Sequence, residues 1–406
     1  MRLLFLTPQL PFPPRQGTAL RNWGLLQHLA AQGHHIELLS FDERLQPATA
    51  LPAELGETCR RVVTVPVPRR ETRERLRALL TSALPDMAWR LWSQPFRRAL
   101  QATLRDHHFD VVQFEGIELA RYMLDLANRS IIRPGRLIFD DHNCEYVLQQ
   151  RTFLMDLRAP WRWHGAAYSF VQWQRLRRFE QRALRVANAT LCVSPQDRDA
   201  LRRLDARAAL HVIPNGINVA EYDSMPPAAG DRPPSVVFTG KMDFRPNVAA
   251  MLWFWRDIWS MVRQAHPQAR LLVVGQKPSP RLAPLRRDPS VTLTGEVEDT
   301  RPYIAQADVY IAPLLAGGGT RFKLLEAMAM RKAIVTTSLG CEGFDIESGR
   351  EAIIADGATE FASAVNDLLR SPSRRHELGE RAHRFVASAW DWKMIIPRLE
   401  QVYRRG

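Results

Sequence analysis

Short apolar runs rich in valine and isoleucine alternate with longer stretches of helical periodicity along most of the chain. A strand buried on both faces of a parallel sheet gives a continuous apolar run, and runs separated by helical patterns are typical of βαβ units. In the first half the pattern predicts strands at 3–7, 36–41, 62–67, 111–114, 137–141, 190–194 and 211–214. In the second half it predicts strands at 236–240, 271–275, 291–295, 309–313, 333–337 and 352–356.

A segment without periodicity separates the two halves. Residues 219–235 are rich in proline, glycine and small polar residues, which indicates an interdomain linker. The pattern therefore predicts an α/β chain with two Rossmann-like, doubly wound domains that face a central cleft. We expect an N-terminal domain over 1–218, a C-terminal domain over 236–388, and a helix over 389–406 that crosses back to the N-terminal domain. Ligands of such sheets bind at the carboxyl ends of the strands.

Composition indicates a globular protein with more than one domain. The chain has 406 residues, of which 46% are hydrophobic and 24% are charged. No apolar run has the length of a membrane-spanning helix, and we interpret the apolar N-terminus as a first strand rather than a signal peptide. The cysteines are far apart and form no CxxC pair, which argues against a zinc site or a disulfide framework and favours a cytoplasmic location. They are Cys59, Cys144, Cys192 and Cys341.

The charge balance favours an anionic partner. Lys and Arg total 56 against 43 Asp and Glu, giving a net charge of +13. Such an excess suits nucleic acid, an anionic membrane or phosphate-bearing substrates. The chain has no zinc finger, RNP-type strand or KH loop, so we do not expect nucleic acid as a partner. Arginine and tryptophan are interleaved in 89–105 and 163–185, which indicates either peripheral contact with an anionic membrane or ordinary amphipathic surface helices.

The segment 312–337 carries the most specific pattern. A strand that ends at Pro313 is followed by three glycines, Gly317–Gly319, and Thr320 then takes a position typical of a helix N-cap. A glycine loop that leads into a helix N-terminus can bind an anion through backbone N–H groups and the helix dipole. Arg321 and Lys323 add positive charge where it opposes the dipole, and a bound diphosphate would offset that unfavourable interaction.

Lys323 and Glu326 are three residues apart and therefore lie on one face of the predicted helix. The carboxylate could accept both hydroxyls of a ribose while the lysine contacts phosphates. The alternative is an ordinary exposed ion pair after a flexible glycine connection.

The string GGGTRFKLLEAMA (317–329) resembles the donor site of the retaining GT-B glycosyltransferases of family 4, whose pattern is G-x-G-x-[KR]-x-K-x-x-E-A-M-A. Segments 236–247 and 6–40 are similar to the first strands and turns of that family's donor and acceptor domains. The resemblance implies a GT-B fold and a nucleotide-diphosphate sugar as co-substrate, with no metal and no other cofactor. It also implies a glycan or lipid-linked acceptor in exopolysaccharide or surface-glycan synthesis.

The resemblance also assigns roles to individual residues. Catalytic roles go to His142, Lys241, Arg321 and Lys323. Donor binding goes to Gly17, Gly317, Gly318, Gly319, Thr320, Leu325 and Glu326. Contacts with the acceptor go to Arg15, Glu115 and Glu145. Local alternatives remain for three of these residues: Gly17 as a helix-entry turn, His142 as a loop residue bonded by Asp140 or Asp141, and Glu115 as a loop cap. Asn143 and Glu145 are expected to orient His142.

One position departs from the family pattern. Many members carry a second glutamate, separated by seven intervening residues from the one that matches Glu326, and this chain has Gly318 there. We expect backbone amides to replace that carboxylate. The implied mechanism stabilises the departing diphosphate with basic side chains and lacks the carboxyl pair of a retaining glycosidase. Two other functions remain open: a sugar-nucleotide epimerase on the same fold, and a non-catalytic basic protein that binds membrane or nucleic acid.

Overall fold

The computed structural model describes residues 1–14, 17–44, 50–128, 135–157, 163–223, 232–316 and 321–405. They form two compact units. Met1–Pro214 and Ile395–Gly406 make up the N-terminal unit, and Asn215–Met394 makes up the C-terminal unit. The chain thus passes from the first unit to the second after Pro214 and returns to the first with its last helix.

The N-terminal unit is built on a seven-stranded parallel sheet in the order β3-β2-β1-β4-β5-β6-β7. The order reverses beside β1, which pairs with both β2 and β4. All predicted runs of this half are confirmed as strands, and the side chains on one face of the sheet form an apolar cluster with the helices. The strands are β1 (Arg2–Thr7), β2 (His35–Asp42), β3 (Arg61–Pro66), β4 (Val111–Glu115), β5 (Arg136–Asp141), β6 (Ala189–Cys192) and β7 (Leu210–Val212).

The helices of this unit cover the sheet, and two of them begin at a serine cap. Ser93 Oγ accepts a hydrogen bond from the Phe96 N–H and Ser194 Oγ accepts one from the Asp197 N–H, each with a proline in the first turn. The helices are α1 (Gly17–Ala31), α2 (Ala53–Thr58), α3 (Thr72–Thr81), α4 (Asp86–Arg90), α5 (Gln94–Asp106), α6 (Ile117–Ala127), α7 (Glu145–Leu157), α8 (Trp163–Val186) and α9 (Pro195–Leu204).

The C-terminal unit has a six-stranded parallel sheet in the order β10-β9-β8-β11-β12-β13. The predicted runs of this half are also confirmed. The strands are β8 (Ser235–Thr239), β9 (Arg270–Val274), β10 (Val291–Leu293), β11 (Val309–Ala312), β12 (Ala333–Thr336) and β13 (Ile353–Ile354). Apolar side chains cover both faces of this sheet, in two separate clusters.

The predicted linker differs in part from the structure. Val219–Asp223 form a short helix, and Val219 is buried in the core of the C-terminal unit, so this stretch is part of that unit. The helices of the unit are α10 (Val219–Asp223), α11 (Arg245–Trp253), α12 (Trp259–Ala265), α13 (Ala283–Arg286), α14 (Arg301–Gln306), α15 (Phe322–Ala329), α16 (Ala358–Arg370) and α17 (Pro372–Ala389). The last helix, α18 (Trp392–Arg404), begins in this unit and ends in the N-terminal one.

Within the residues that the structure describes, no helix is both long enough and apolar enough to cross a bilayer. The four cysteines are buried free thiols.

Candidate functional site

In the C-terminal unit, Lys323 lies over the carboxyl end of β8. Its Nζ donates a hydrogen bond to Asn247 Oδ1 at 2.9 Å and lies 4.1 Å from the centroid of the Phe238 ring. Asn247 is held in turn, because its Nδ2 donates to the backbone oxygen of Lys241 at 2.9 Å. The ammonium group is therefore fixed by one amide oxygen and one aromatic face, with no carboxylate bonded to it among the described residues.

Two glycines leave the space in which this ammonium group sits. A Cβ on Gly240 would lie 2.8 Å from Lys323 Nζ and 2.8 Å from Asn247 Nδ2, closer than a carbon atom can approach without displacing them. A Cβ on Gly275 would lie 1.8 Å from the backbone oxygen of Gly240. Both glycines have φ near +150°, a backbone conformation that residues with a side chain rarely adopt. The ends of β8 and β9 thus approach closely only because neither turn carries a side chain.

Lys323 and Glu326 project from the same helix into a weakly solvated environment. Burial and the charge of Arg321 lower the pKa of Lys323 to about 7. Burial raises the pKa of Glu326 to about 7, although Tyr222 Oη donates a hydrogen bond to Glu326 Oε1 at 3.4 Å. Both side chains are thus poised to change protonation when a charged or hydrogen-bonding ligand arrives.

The beginning of α15 corrects one detail of the sequence prediction. The helix starts at Phe322 with Arg321 at the N-cap, and the Arg321 side chain makes no capping hydrogen bond. Thr320 therefore does not take the N-cap position. Gly317, Gly318, Gly319 and Thr320 lie outside the described residues, so the predicted anion-binding loop itself stays a prediction.

The structure places two further predicted site residues, Leu325 and Lys241, in different surroundings. The side chain of Leu325 is fully buried in the core beneath the helix, so it packs against the sheet and does not line the site. Leu325 lies on the apolar face of α15, and the helix buries that face against the sheet. Lys241 is half-buried just after the carboxyl end of β8, with its Nζ 3.8 Å from Asp243 Oδ1.

In the N-terminal unit, a buried carboxylate binds the predicted histidine. His142 Nε2 lies 2.7 Å from Glu115 Oε2, and Glu115 is fully buried at the end of β4. Gln113 Nε2 donates to the other oxygen, Glu115 Oε1, at 2.6 Å. The Asn22 amide, turned so that its NH2 group faces Glu115, donates to Oε2 at 2.8 Å. Glu115 therefore fixes one ring nitrogen of His142 and is itself held by two amides.

A buried arginine neutralises the neighbouring carboxylate. Arg21 Nε and Nη2 donate to the two oxygens of Asp140 at 2.9 and 3.1 Å, and Nη1 donates to the backbone oxygen of Pro214 at 3.1 Å. Arg21 and Asp140 are 1% and 0% exposed, so neither charge has water to replace its partner. The pair thus joins α1 to the interior strand β5, two residues before His142 in sequence.

The charges around His142 favour its protonated form. Burial alone would lower the pKa of His142, but the hydrogen bond to Glu115 and the charges of Asp140 and Glu115 outweigh it and raise the pKa. Glu145 nearby has a pKa raised to about 7 by burial and by the charge of Glu118.

Glu115, Asp140 and His142 offer potential ligand atoms within 4.8 Å of one another. The donor set does not fit a cation, however. Both oxygens of Asp140 are taken by Arg21, both oxygens of Glu115 accept hydrogen bonds, and the guanidinium supplies positive charge beside them. The arrangement is a charge-paired hydrogen-bond network.

The structure changes the predicted roles of several acceptor-side residues. Glu115 is fully buried and turns inward to bind His142 and Gln113, so its carboxylate is not presented to an acceptor hydroxyl. It also replaces Asn143 and Glu145 as the group that orients His142. Glu145 is the first residue of α7, where its N–H donates to Glu180 Oε1 at 2.7 Å.

Of the two site residues predicted in the first loop of the N-terminal unit, Gly17 and Arg15, the structure describes only Gly17. Gly17 is the exposed first residue of α1, consistent with a helix entry, and its contact with a donor stays a prediction. Arg15 lies outside the described residues.

Sequence reasoning missed Arg21, Gln113, Asn247, Tyr222 and Tyr403. The one available signal was Arg21, a charged residue within the apolar face of α1. The others have no local signal because their partners are distant in sequence.

Two family models match the chain. One, described as Glycosyltransferase Family 4, matches residues 16–221, and the other, Glycosyl transferases group 1, matches 233–371. Among curated proteins, an uncharacterized 44.6 kDa protein in the cps region of Klebsiella pneumoniae is 24% identical over 41% of this chain and 45% of its own length. A phosphatidyl-myo-inositol mannosyltransferase of Mycolicibacterium smegmatis is 29% identical over 47% of this chain and 50% of its own length. The chain spans about half the length of the curated relatives it matches.

Solved structures show the same fold at low sequence identity. Sucrose-phosphate synthase of Thermosynechococcus elongatus aligns with a TM-score of 0.74 and 17% identity, covering 100% of this chain and 99% of the other. The Anabaena protein HepE, crystallised with UDP and glucose, aligns with a TM-score of 0.66 and 14% identity over 100% of both chains. WaaG, a glycosyltransferase involved in lipopolysaccharide biosynthesis, gives 0.64 and 15% over 100% of both chains. With a GT-B fold in its structural neighbours and a family model that spans half its length, this chain belongs to glycosyltransferase family 4.

Proposed function

We propose that the protein transfers a sugar from a nucleotide-diphosphate sugar to a glycan or lipid-linked acceptor, with retention of anomeric configuration and without a metal ion. The observation that carries the proposal is the pair Lys323 and Glu326 on one helix face, beside the space that Gly240 leaves open. The names of relatives support the substrate classes: one neighbour was crystallised with UDP and glucose, and one relative acts on phosphatidyl-myo-inositol by its name. The Klebsiella relative in a cps region supports a role in surface-glycan synthesis.

In the proposed reaction, the bond between the sugar's anomeric carbon and the diphosphate oxygen breaks. A bond from that carbon to an acceptor hydroxyl oxygen forms on the same face, and the hydroxyl proton passes to the departing diphosphate. Lys323, Arg321 and Lys241 stabilise the negative charge that develops on the diphosphate, an effect commonly worth several kcal/mol. Glu326 accepts the ribose hydroxyls, and His142 contacts a hydroxyl of the transferred sugar. Each of these roles needs position rather than a covalent intermediate.

The donor site is tested by replacing Glu326 with alanine. Glu326→Ala should raise the donor dissociation constant at least about tenfold, because hydrogen bonds to a charged group are worth roughly 1.5–3 kcal/mol. Isothermal titration with the best nucleotide sugar from a UDP, GDP and ADP panel measures it. Glu347→Ala is the matched control, since the Glu347 side chain is 72% exposed on the same unit. A folded Glu326→Ala protein with unchanged donor affinity would refute the donor site.

The alternatives differ in product. An epimerase would return the nucleotide sugar with one inverted centre and would need an acid–base carboxylate beside the sugar, whereas a non-catalytic protein would consume no donor. Proton NMR of the reaction separates them. An anomeric centre inverted in the glycoside product would contradict the retaining mechanism.

The arginine and tryptophan side chains of 89–105, for which membrane contact is predicted, have partners within their own unit. The rings of Trp89 and Trp92 enclose the Arg121 guanidinium at 3.8 and 4.0 Å from their centroids. Arg97 Nε pairs with Asp125 Oδ2 at 2.8 Å. This stretch is thus occupied within its own unit and has little apolar surface to offer a bilayer.

We propose that the other predicted stretch, 163–185 on α8, lies against an anionic lipid surface together with α3 and α7. The exposed large apolar side chains of the described residues concentrate there: Leu76, Leu80, Leu154, Met155, Leu157, Trp163, Tyr168, Phe170 and Val171. A groove lined by residues of both α3 and α8 makes the surface continuous, and Arg175 Nη2 donates to the Leu79 oxygen at 2.7 Å. Segments 69–81 and 151–178 contain 11 arginines and 3 acidic residues, which complements anionic lipid.

Liposome co-sedimentation tests this surface. Replacing Leu76 and Leu80 together with glutamate should abolish binding to vesicles with anionic lipid, because it adds negative charge and removes apolar contact. Phe244→Glu is the control, since Phe244 is 54% exposed on the other unit. Equal, negligible pelleting of the unaltered protein with neutral and anionic vesicles at low salt would refute the membrane proposal.

A further inference from the structure

A chain of hydrogen bonds joins the C-terminal helix to the predicted catalytic histidine. Tyr403 Oη, on α18, donates to Gln113 Oε1 in the middle of the sheet. Gln113 Nε2 donates to Glu115 Oε1 at 2.6 Å, and Glu115 Oε2 bonds His142 Nε2 at 2.7 Å. All four residues belong to the N-terminal unit. Tyr403 and Gln113 are 3% and 0% exposed, so water does not compete for these bonds.

The donor and acceptor roles along this series of hydrogen bonds are fixed by the chemistry of the groups. A neutral tyrosine hydroxyl has one hydrogen to donate, and burial with the charges of Glu115 and Asp140 raises the pKa of Tyr403, which keeps the hydroxyl protonated. An amide presents an oxygen on one side and an NH2 group on the other. Because Tyr403 donates to the Gln113 oxygen, the NH2 group must face Glu115. The reversed amide would place its oxygen against a carboxylate.

The remaining charges around the pair come from four elements. Asp140 lies on β5 beside Glu115, Arg21 on α1 neutralises Asp140, and Glu145 on α7 faces His142. Glu118 on α6 brings its Oε2 to within 3.3 Å of the position that a Cβ on Gly116 would take, beside His142 Nδ1. Burial and the charge of Asp140 raise the pKa of Glu115 and so disfavour its ionised form. The hydrogen bond that the neutral Gln113 amide donates to Glu115 acts in the opposite direction and stabilises the ionised carboxylate.

We propose that Tyr403 is a positioning residue for His142, acting through Gln113 and Glu115 to hold the imidazole with Nε2 toward Glu115 and Nδ1 toward substrate. The inference rests on the proposed function for the role of His142 in turnover. The Nδ1 edge lies beside Gly116, where a Cβ would be 3.7 Å from Nδ1, so no side chain from that residue covers it. The last helix therefore contributes to the reaction centre of the unit to which it returns.

The test compares two tyrosine variants of the full-length protein. Tyr403→Phe removes the hydroxyl that orients Gln113, while Tyr122→Phe removes an equally buried hydroxyl that donates to the Leu91 oxygen at 2.7 Å and belongs to no such chain. The pKa of His142 is followed by NMR of 13C-labelled imidazoles, with the signal assigned by His142→Gln. Tyr403→Phe should lower this pKa by about 0.5–1 unit, because Glu115 loses stabilisation of its charged form.

The kinetic expectation follows from the same shift. In Tyr403→Phe the pH profile of kcat should move with the His142 titration, with KM for the donor changed less than twofold, on the order of experimental error. Gln113→Met should shift the His142 pKa in the same direction, which keeps the test valid if one variant folds poorly. An unchanged His142 pKa in both variants would overturn the inference. A shifted pKa in a protein that transfers no sugar would support the relay and contradict the proposed function instead.

Discussion

Donor binding should change the protonation of Lys323, and the protons taken up from the buffer can be counted. In the free protein Lys323 has a pKa of about 7, lowered from 10.5 mainly by burial. A diphosphate beside the ammonium group would restore the usual pKa, because an opposite charge favours the charged form. Donor binding should therefore be accompanied by proton uptake at pH values above the pKa of Lys323 in the free protein, where this side chain is mostly neutral before the donor binds.

The magnitude follows from the two cited pKa values. At about pH 8, roughly one tenth of Lys323 is charged in the free protein, so binding takes up about 0.9 proton. Glu326, with a pKa of about 7, is already about nine-tenths ionised at that pH and releases only about 0.1 proton as its ionised form binds the ribose. The net uptake is about 0.8 proton per donor. At about pH 6 the two roles exchange, and binding should release about 0.8 proton.

Isothermal titration in two buffers with different ionisation enthalpies measures the uptake. A nucleotide sugar is the right ligand, because its diphosphate diester does not itself titrate in this range. Lys323→Arg is the control, since a guanidinium keeps its charge at every pH used and should bind without proton uptake. Equal binding enthalpies in both buffers at about pH 8, or uptake that persists in Lys323→Arg, would refute this account of the site.

Three further predictions follow from the geometry. Gly240→Ala should weaken donor affinity by at least about tenfold in a titration, because the new Cβ would lie 2.8 Å from Lys323 Nζ, whereas Gly56→Ala has nothing within 4 Å and should bind normally. Arg21→Met should lower the free energy of unfolding by about 3–5 kcal/mol in urea denaturation, since Asp140 would remain buried without its partner, and a loss below about 1 kcal/mol would contradict this. Treatment with EDTA should leave transfer activity intact, because the proposed mechanism gives basic side chains the role of a cation on the diphosphate, and a complete loss reversed by added metal would count against that mechanism.

The sequence by itself located the strands and the motif over residues 317–329. Among the described residues, continuous apolar runs located each strand, because a parallel strand covered on both faces needs apolar residues throughout. The spacing of Lys323 and Glu326 placed them on one helix face for an equally local reason. These features depend on neighbours within a few residues, which is the range over which a sequence pattern carries information.

Only the tertiary structure decided which partners these residues meet. Lys323 is bonded to Asn247, 76 residues away, and Tyr403 to Gln113, 290 residues away. Glu115 stands at a strand end, where sequence reasoning expected an acceptor contact, yet it turns inward to His142. The reason is physical: in a parallel sheet the strand order brings distant carboxyl ends together, and a buried carboxylate must find donors wherever the fold supplies them.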